Sequence, residues 1–560
     1  MPSLPRAAAF ASILVLTALG AGAASAMPDP QAAQGLYLIG RAALDDGDGK
    51  TAAEFFARAA EADPDALLQD RAFTAALFAG EVHRAAQLAP TGDVGSISLQ
   101  QLGRATRIVD LIALGDYRRA EALTTPDPTG PHHLILALLG PWAAAGAGDW
   151  TRATQLPASH EDRLLDGLAR LDQALILERA GRLDQAEAAF RGLAAQSDGL
   201  ALYTGRYGEF LERHGRRPEA IALYAKALSA GGANGGLEAA KARAEAGGAP
   251  PAAPTIAQGA ARALLAPAAM MIAQKQPELG IAYLWLVLRL DPTRDEAWLL
   301  AGDALAGSGD LAGARAAYLH VQPGGAGYAD ASARLVATYE TAGDKVKALE
   351  LARAAATAAP ENDEAQLLLA DVLRLNGLNA ESAKVVDAVI AREGAGAGWQ
   401  VYYMRGVALS EAGQWPAGEK DLVHALVLRP DEPEVLNYLG YSWIEHRERL
   451  NEAHEMLVKA VDAKPDDGAI IDSLGWAEYQ LGHNDAAVER LEKAVELEPA
   501  EAEINDHLGD AYWRAGRKLE AKFQWDRVLT LNPNPKLRAA VEGKLKSLLG
   551  ELTAQNTQVR

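Results

Sequence analysis

Cysteine is absent from all 560 residues. Its absence excludes disulfides, thiolate nucleophiles, zinc–thiolate sites and a lipid attached to an N-terminal cysteine, and it leaves the redox compartment open. Positive charge is also short: 54 Lys plus Arg stand against 74 Asp plus Glu, a formal net charge of -20. With no local basic stripe to override that field, nucleic acid and anionic membrane surfaces are poor partners for this chain. Aromatic residues make up only 6%, so any place that gathers them stands out. Beyond the N-terminal segment no run is long and apolar enough to cross a bilayer. What the chain does have is 49% hydrophobic residues, rich in Ala and Leu and poor in Val, Ile and Thr. That rules out wholesale disorder and favours helix over strand.

A single Arg6 precedes the apolar stretch 7–26, which closes on Ala24-Ser25-Ala26. A positive start, a short apolar core and a small-residue ending describe an export signal at 1–26, cleaved after Ala26. The alternative is an anchor retained through 7–26, since about 20 apolar residues can span a bilayer.

Repeats organise the rest. Pro430, Pro465, Pro499 and Pro533 recur at intervals of 35, 34 and 34 residues. An apolar residue precedes each at a fixed offset (Ala425, Ala460, Ala494, Val528), and farther upstream comes Gly406, Gly440, Gly475 or Gly509. In 468–501, Ile471, Leu474, Gly475 and Glu478 follow helical spacing. Gly482 then interrupts, and a second stripe follows with Ala487, Leu491 and Ala494 before Pro499 stops the helix. Two amphipathic helices joined by a short turn lie antiparallel. Gly475 and Ala487 let the backbones approach, and Leu491 fills the seam, burying roughly 1.5–3 kcal/mol of apolar surface. One hairpin cannot bury both faces, so neighbours must stack on it.

The pattern resembles the tetratricopeptide repeat: Leu-Gly at 439–440, 474–475 and 508–509, then Ala453, Ala487 and Ala521, with Leu457, Leu491 and Trp525 as the large seam residues. The resemblance implies an all-α fold, a right-handed α-solenoid of helical hairpins. A good repeat directly after the leader carries Ile39-Gly40, Ala52, Phe56, Ala59 and Pro64, and less even units carry Gly208, Ala220 and Tyr224, and Gly302, Ala314 and Tyr318. Between 65 and 160 the period is blurred, and 363–393 is a diverged unit. In all, roughly ten to thirteen units are expected. The Gly/Pro/Ala segment 246–255 is expected to separate an N-terminal array, 27–245, from a C-terminal array, 256–533. The helix before it, within 237–246, is expected to cap the first array. Pro267 is expected to kink or delay the helix after the linker. A capping helix and frayed tail are expected at 534–560.

Fragments that imitate catalytic motifs fail on spacing. Gly49-Lys50-Thr51 has Leu44 where a phosphate-binding loop needs glycine, and reads as a solvated hairpin turn. Asp45-Asp46-Gly47-Asp48 is followed by Lys50 and Thr51 where a calcium loop needs a ligand and a glycine. His454-Glu455 lacks a second histidine, since Val458 occupies its place. His132-His133 reads as a solvated pair, and Gly394, Gly396 and Gly398 form a spacer without the strand of a dinucleotide site. The expectation is a protein that is not an enzyme, with no catalytic residue, metal or cofactor.

In the family that the repeats resemble, the first helix of each unit lines the inner face. Carried onto this chain, that face holds Tyr403, Asn437, Tyr438, Tyr441, Asp472, Trp476, Tyr479, Asp506, His507, Asp510, Trp513 and Arg514. Large aromatics beside polar groups are what a protein or peptide site uses. Asn437 suits a clamp for a terminal carboxylate, whereas Asp472 and Asp506 favour a neutral or basic segment. The block 399–535 resembles exported tetratricopeptide proteins of Gram-negative bacteria. This implies a periplasmic scaffold that binds a protein or peptide during envelope assembly. The alternatives are an inner-membrane-anchored factor for pilus assembly or polysaccharide export, and an envelope enzyme or its regulatory subunit.

Overall fold

The computed structural model describes residues 29–558 except 46–47, 64, 92–95, 126–127, 158–162, 196–199, 232–233, 324 and 326. The export segment, Pro64 and the Asp46-Gly47 pair lie outside the described residues. Among those described, all regular structure is helical. Two compact units divide at Val321 and Gln322.

The second unit is six hairpins and a final helix, and the last four hairpins close where the sequence places a glycine, Gly406, Gly440, Gly475 or Gly509, against a large side chain. A methyl group on Gly475 would lie 2.7 Å from Leu491 Cγ, on Gly440 3.0 Å from Leu457 Cγ, and on Gly406 2.9 Å from Leu422 Cγ. Ala453, Ala487 and Ala521, one step along the partner helices, are fully buried. Gly482, at φ 84°, ends the helix Gly468–Leu481 in a left-handed turn that an L-residue rarely adopts. The last helix, Pro535–Gln558, covers the open face of the final hairpin with Val541, Leu545 and Leu548. The expected frayed tail is thus helical to Gln558.

The first unit repeats the theme with less regularity. In the blurred stretch the second helices are short: Val82–Leu88, Tyr117–Ala122 and Trp150–Ala153 have 7, 6 and 4 residues. They are too short to carry the full alanine, seam and proline signature, and this is why register is lost in sequence. With these included, the described residues form fourteen hairpins rather than ten to thirteen. Helix Gly235–Glu245 stands alone with Leu237, Ala240 and Ala244 buried, as expected of a cap.

The segment 246–255 does not separate two arrays. It is strapped down: Arg217 donates to Gly248 O, Arg213 to Pro251 O and Arg179 to Pro254 O at 2.9, 3.0 and 3.2 Å. Thr255 and Gln258 then form a capping box that starts the next helix, Ile256–Ala273, which runs unbroken through Pro267. This helix and its successor, Pro277–Leu290, pack on the first helices of earlier hairpins: His133–Ala147, Arg163–Arg179, Ile97–Ala113 and Ala66–Phe78. Gly259 admits the fully buried Trp142, Arg262 pairs with Asp172, and Arg289 meets Asp110 at 2.8 Å. A single core therefore runs from Ala52 to Ala317. The inner side of the first array is filled by the chain's own hairpin.

His132 belongs to this closure and is not the solvated residue expected from its loop setting. It is 2% exposed. Nε2 meets Ser98 Oγ at 2.9 Å, and Nδ1 meets the Tyr283 hydroxyl at 2.5 Å. Burial holds its pKa down at about 4. An unfolded histidine titrates near 6.5, so the folded unit resists protonation and loses stability as pH falls from about 6.5 to 4. The loss should amount to on the order of 2–3 kcal/mol. Urea unfolding of His132→Gln, compared with the parent across this range, should show a flatter pH dependence. Parallel curves would place the acid sensitivity elsewhere.

Candidate functional site

Stacking of the hairpins brings one face of successive first helices into register: Asp363–Leu375, Trp399–Glu411, Pro433–His446, Gly468–Leu481 and Ala502–Arg514. Contacts step from helix to helix along it. Arg374 reaches Glu411 at 3.5 Å, and the Tyr403 and Tyr438 rings meet edge to face at 6.1 Å. Trp476 Nε1 donates to Glu445 at 2.7 Å. The Trp476 ring stacks with Tyr479 at 4.7 Å and with His507 at 4.2 Å. Arg514 lies 3.6 Å from the centre of the Tyr479 ring and donates to Tyr479 O at 2.7 Å. Of the aromatic residues expected on this face from Tyr403 to Trp513, ring contacts join Tyr403 to Tyr438 and, separately, Trp476 to Tyr479 and His507, while Trp513 packs on Trp525.

The twelve expected residues divide by exposure. Tyr403, Asn437, Tyr438, Tyr441, Trp476, Tyr479, Asp510 and Trp513 are half-buried, and Arg514 is exposed. Asp472, Asp506 and His507 are 6–7% exposed, too enclosed to line the open face on which they were expected. Instead, His507 Nδ1 meets both Asp472 oxygens at 2.9 and 3.0 Å. Burial alone would lower the His507 pKa, but the Asp472 carboxylate outweighs it and the shift is upward. Asp506 and Asp510 both hold Lys544 of the final helix, at 2.8 and 2.6 Å. Trp513 leans on Trp525 of its own hairpin, with rings 5.9 Å apart, under the Lys518 ammonium.

What remains available is a band of aromatic rings with different acids from those expected. Burial, then Glu445, Glu503 and Asp472, raise the Tyr441 pKa. Burial followed by Glu411 pushes that of Tyr438 up to about 12. Both hydroxyls therefore remain protonated donors. Asn437 Oδ1 is buried without a hydrogen-bond partner among the described residues. Lys544 was invisible to repeat-based reading because it lies outside any repeat, and Arg374 because its unit is diverged.

The remaining motif fragments are structural. Asp48 caps the helix Gly49–Ala62 by accepting from Thr51 N at 2.9 Å, so Gly49-Lys50-Thr51 form the first turn of that helix rather than the hairpin turn expected. His454 and His483 share Glu478 at 2.7 and 2.5 Å. Gly394–Gly396 is a short 3-10 turn between hairpins. Among the described residues no cluster has metal-binding geometry.

Two comparisons by sequence bear on this arrangement. A tetratricopeptide-repeat family model matches residues 16–66, 171–235 and 335–397, and a second TPR-repeat model matches 475–516. TPR repeat-containing protein PA4667 of Pseudomonas aeruginosa is 44% identical over 64 residues, 11% of each chain. Solved structures similar to this chain include the APC/C hetero-tetramer Cut9–Hcn1, with 15% identity, 92% of this chain and 96% of that one covered, and a TM-score of 0.39. A tetratricopeptide repeat protein from Parabacteroides merdae gives 14%, 46%, 98% and 0.38. MamA from Desulfovibrio magneticus gives 21%, 30%, 95% and 0.27.

Lys544→Met should leave the enclosed Asp506 carboxylate without its cation and destabilise the last hairpin by roughly 1–3 kcal/mol, discounted for the partial exposure of the lysine. Adding Asp506→Asn should restore part of the loss in a double-mutant cycle read by thermal unfolding. Simple additivity of the two changes would show that the pair is not coupled.

Proposed function

We propose that this chain, a tetratricopeptide-repeat protein, is a non-enzymatic scaffold that binds a protein or peptide along the first helices of 399–514. The observation that carries this reading is the band of half-buried rings, Tyr403, Tyr438, Tyr441, Trp476 and Tyr479, running across consecutive repeats. Rigid amphipathic rings bury much surface at little entropic loss, which suits them to anchor a segment. With Glu411, Glu445 and Glu503 beside the tyrosines, a neutral or basic segment is favoured over an acidic one. The inner side of the first array is already filled by 256–290, which directs the search to the second unit. The leader-like 1–26 supports export and a role in the bacterial cell envelope, with anchoring through 7–26 as the alternative.

Micromolar affinity, about -8 kcal/mol, is expected for such a segment. Tyr441→Ala and Trp476→Ala should each cost on the order of 2 kcal/mol, roughly 30-fold in affinity. Crosslinked capture from native envelopes with each variant, after matching its thermal unfolding to the parent, tests this. Folded variants that retain every partner would move the site away from this face. Intact mass of the envelope-derived chain tests export: a chain starting at Met27 supports cleavage, and one starting at Met1 in the membrane pellet supports the anchor.

A further inference from the structure

A cavity of about 790 Å³ lies within the first unit. One side is formed by the turn ends of the first two hairpins, at 48–50 and 78–82. The other is formed by the returning helix Pro277–Leu290 and the next hairpin, Asp295–Gly307 with Leu311–Tyr318. The cavity exists only because the chain closes on itself. Trp285 Nε1 donates to Phe78 O at 3.2 Å, between residues 207 apart in sequence. The Trp285 ring rests against Gly80, where a methyl group would stand 3.4 Å from it.

Its wall is aromatic. Trp285 and Trp298 are half-buried and meet edge to face, with ring centres 6.0 Å apart. His320 stacks on Trp298 at 3.8 Å, and Phe78 is 39% exposed. Large rings gathered at an open surface, rather than in the core, mark a binding site. Trp298 Nε1 donates to Pro292 O at 2.8 Å, so both indole N–H groups are engaged within the chain. The rings therefore present π surface and C–H edges, with no indole donor left for the carbonyls of a peptide. Beside them stand two acids and two bases, Asp48 and Asp310 against Lys50 and Arg289, and Arg289 already meets Asp110 at 2.8 Å. The acids are held in place as helix caps, accepting from Thr51 N at 2.9 Å and Gly313 N at 2.8 Å. A ligand of either charge would face both signs, and an oily one would strip water from all four groups. A neutral polyhydroxyl ligand meets neither cost. Its hydroxyls donate to carboxylates and accept from ammonium and guanidinium groups. Its C–H bonds, polarised by neighbouring oxygens, are attracted to the negative faces of the rings. The volume falls within the range of about 300–1,000 Å³ usual for small-ligand sites.

We propose that this cavity binds a neutral saccharide of a few sugar units, its C–H surface against Phe78, Trp285 and Trp298 and its hydroxyls on Asp48, Asp310 and Lys50. Bound there, it would bridge the first two hairpins and the returning hairpin 256–290, and so stabilise the closed first unit. The site is separate from the aromatic face of the second unit, and the two stand or fall independently.

The test is calorimetric titration of the full chain with maltotriose, cellotriose and the trimer of N-acetylglucosamine, and with a decaproline peptide as the competing chemistry. Saturable binding of one or more of the trisaccharides, at millimolar concentration or below, supports the proposal. Trp298→Ala should weaken that binding by about tenfold or more. Asp310→Asn keeps a capping side chain while removing the charge, and Lys50→Met alters an exposed residue. Each should leave thermal unfolding as in the parent and weaken binding several-fold. Trp415→Phe, in the second unit and stacked on His446, should leave binding unchanged. No saturable heat with any trisaccharide up to roughly 10 mM, or binding of decaproline alone, would overturn the proposal. So would folded Asp310→Asn and Lys50→Met proteins that bind as the parent does.

Discussion

The hairpins of 399–530 depend on how closely two helices can approach at a glycine. Where Gly406, Gly440 and Gly475 oppose Leu422, Leu457 and Leu491, there is no room for even one methyl group without moving the partner. That contact sets the angle and spacing of each hairpin, and hairpin spacing sets how neighbours stack. Stacking in turn decides which side chains of the first helices meet. The ladder from Glu445 through Trp476 to Tyr479 and Arg514 is a consequence several steps removed from the glycines that permit it. The seam is local, the face it creates is not, and so a solenoid can carry a surface far larger than any one repeat encodes.

The same unit of construction serves two purposes here. In the second unit the face formed by the first helices stays partly open and gathers aromatic rings. In the first unit it is covered by the hairpin 256–290, through Trp142 against Gly259, His132 against Tyr283 and Arg289 against Asp110. These contacts mix full burial with polar pairing. Removing one member therefore leaves an enclosed polar group exposed to the cost of desolvation rather than a simple gap.

Periodic features were legible in the sequence. The glycine–leucine seams, the alanine contacts, the helical class and the aromatic stripe all repeat every 34 or 35 residues, and their physics is contained within a hairpin. What could not be read depends on chain segments far apart. Lys544 pairs with Asp506 and Asp510 of the expected inner face from 34 or more residues away, and Asp472 is withdrawn by His507 from the next repeat. The Gly/Pro/Ala composition of 246–255 signals irregular backbone correctly, but composition cannot say whether such a segment swings free or is pinned. Arg179, Arg213 and Arg217 pin it. His132 was misread for the same reason: its partner Tyr283 lies 151 residues away.

Because the seam controls the face, one substitution tests both together. Gly475→Leu places a branched side chain where Leu491 Cγ already stands 2.7 Å from the position of a Cβ, at an expected cost of about 1–3 kcal/mol or more. Hydrogen exchange followed by mass spectrometry should show faster exchange in Gly468–Leu481 and Asn484–Leu497. A weaker effect should reach the adjacent hairpins on either side, in the graded manner of nearest-neighbour coupling. Exchange in these helices identical to the parent would contradict a seam limited by glycine, and with it the register that assembles the aromatic face.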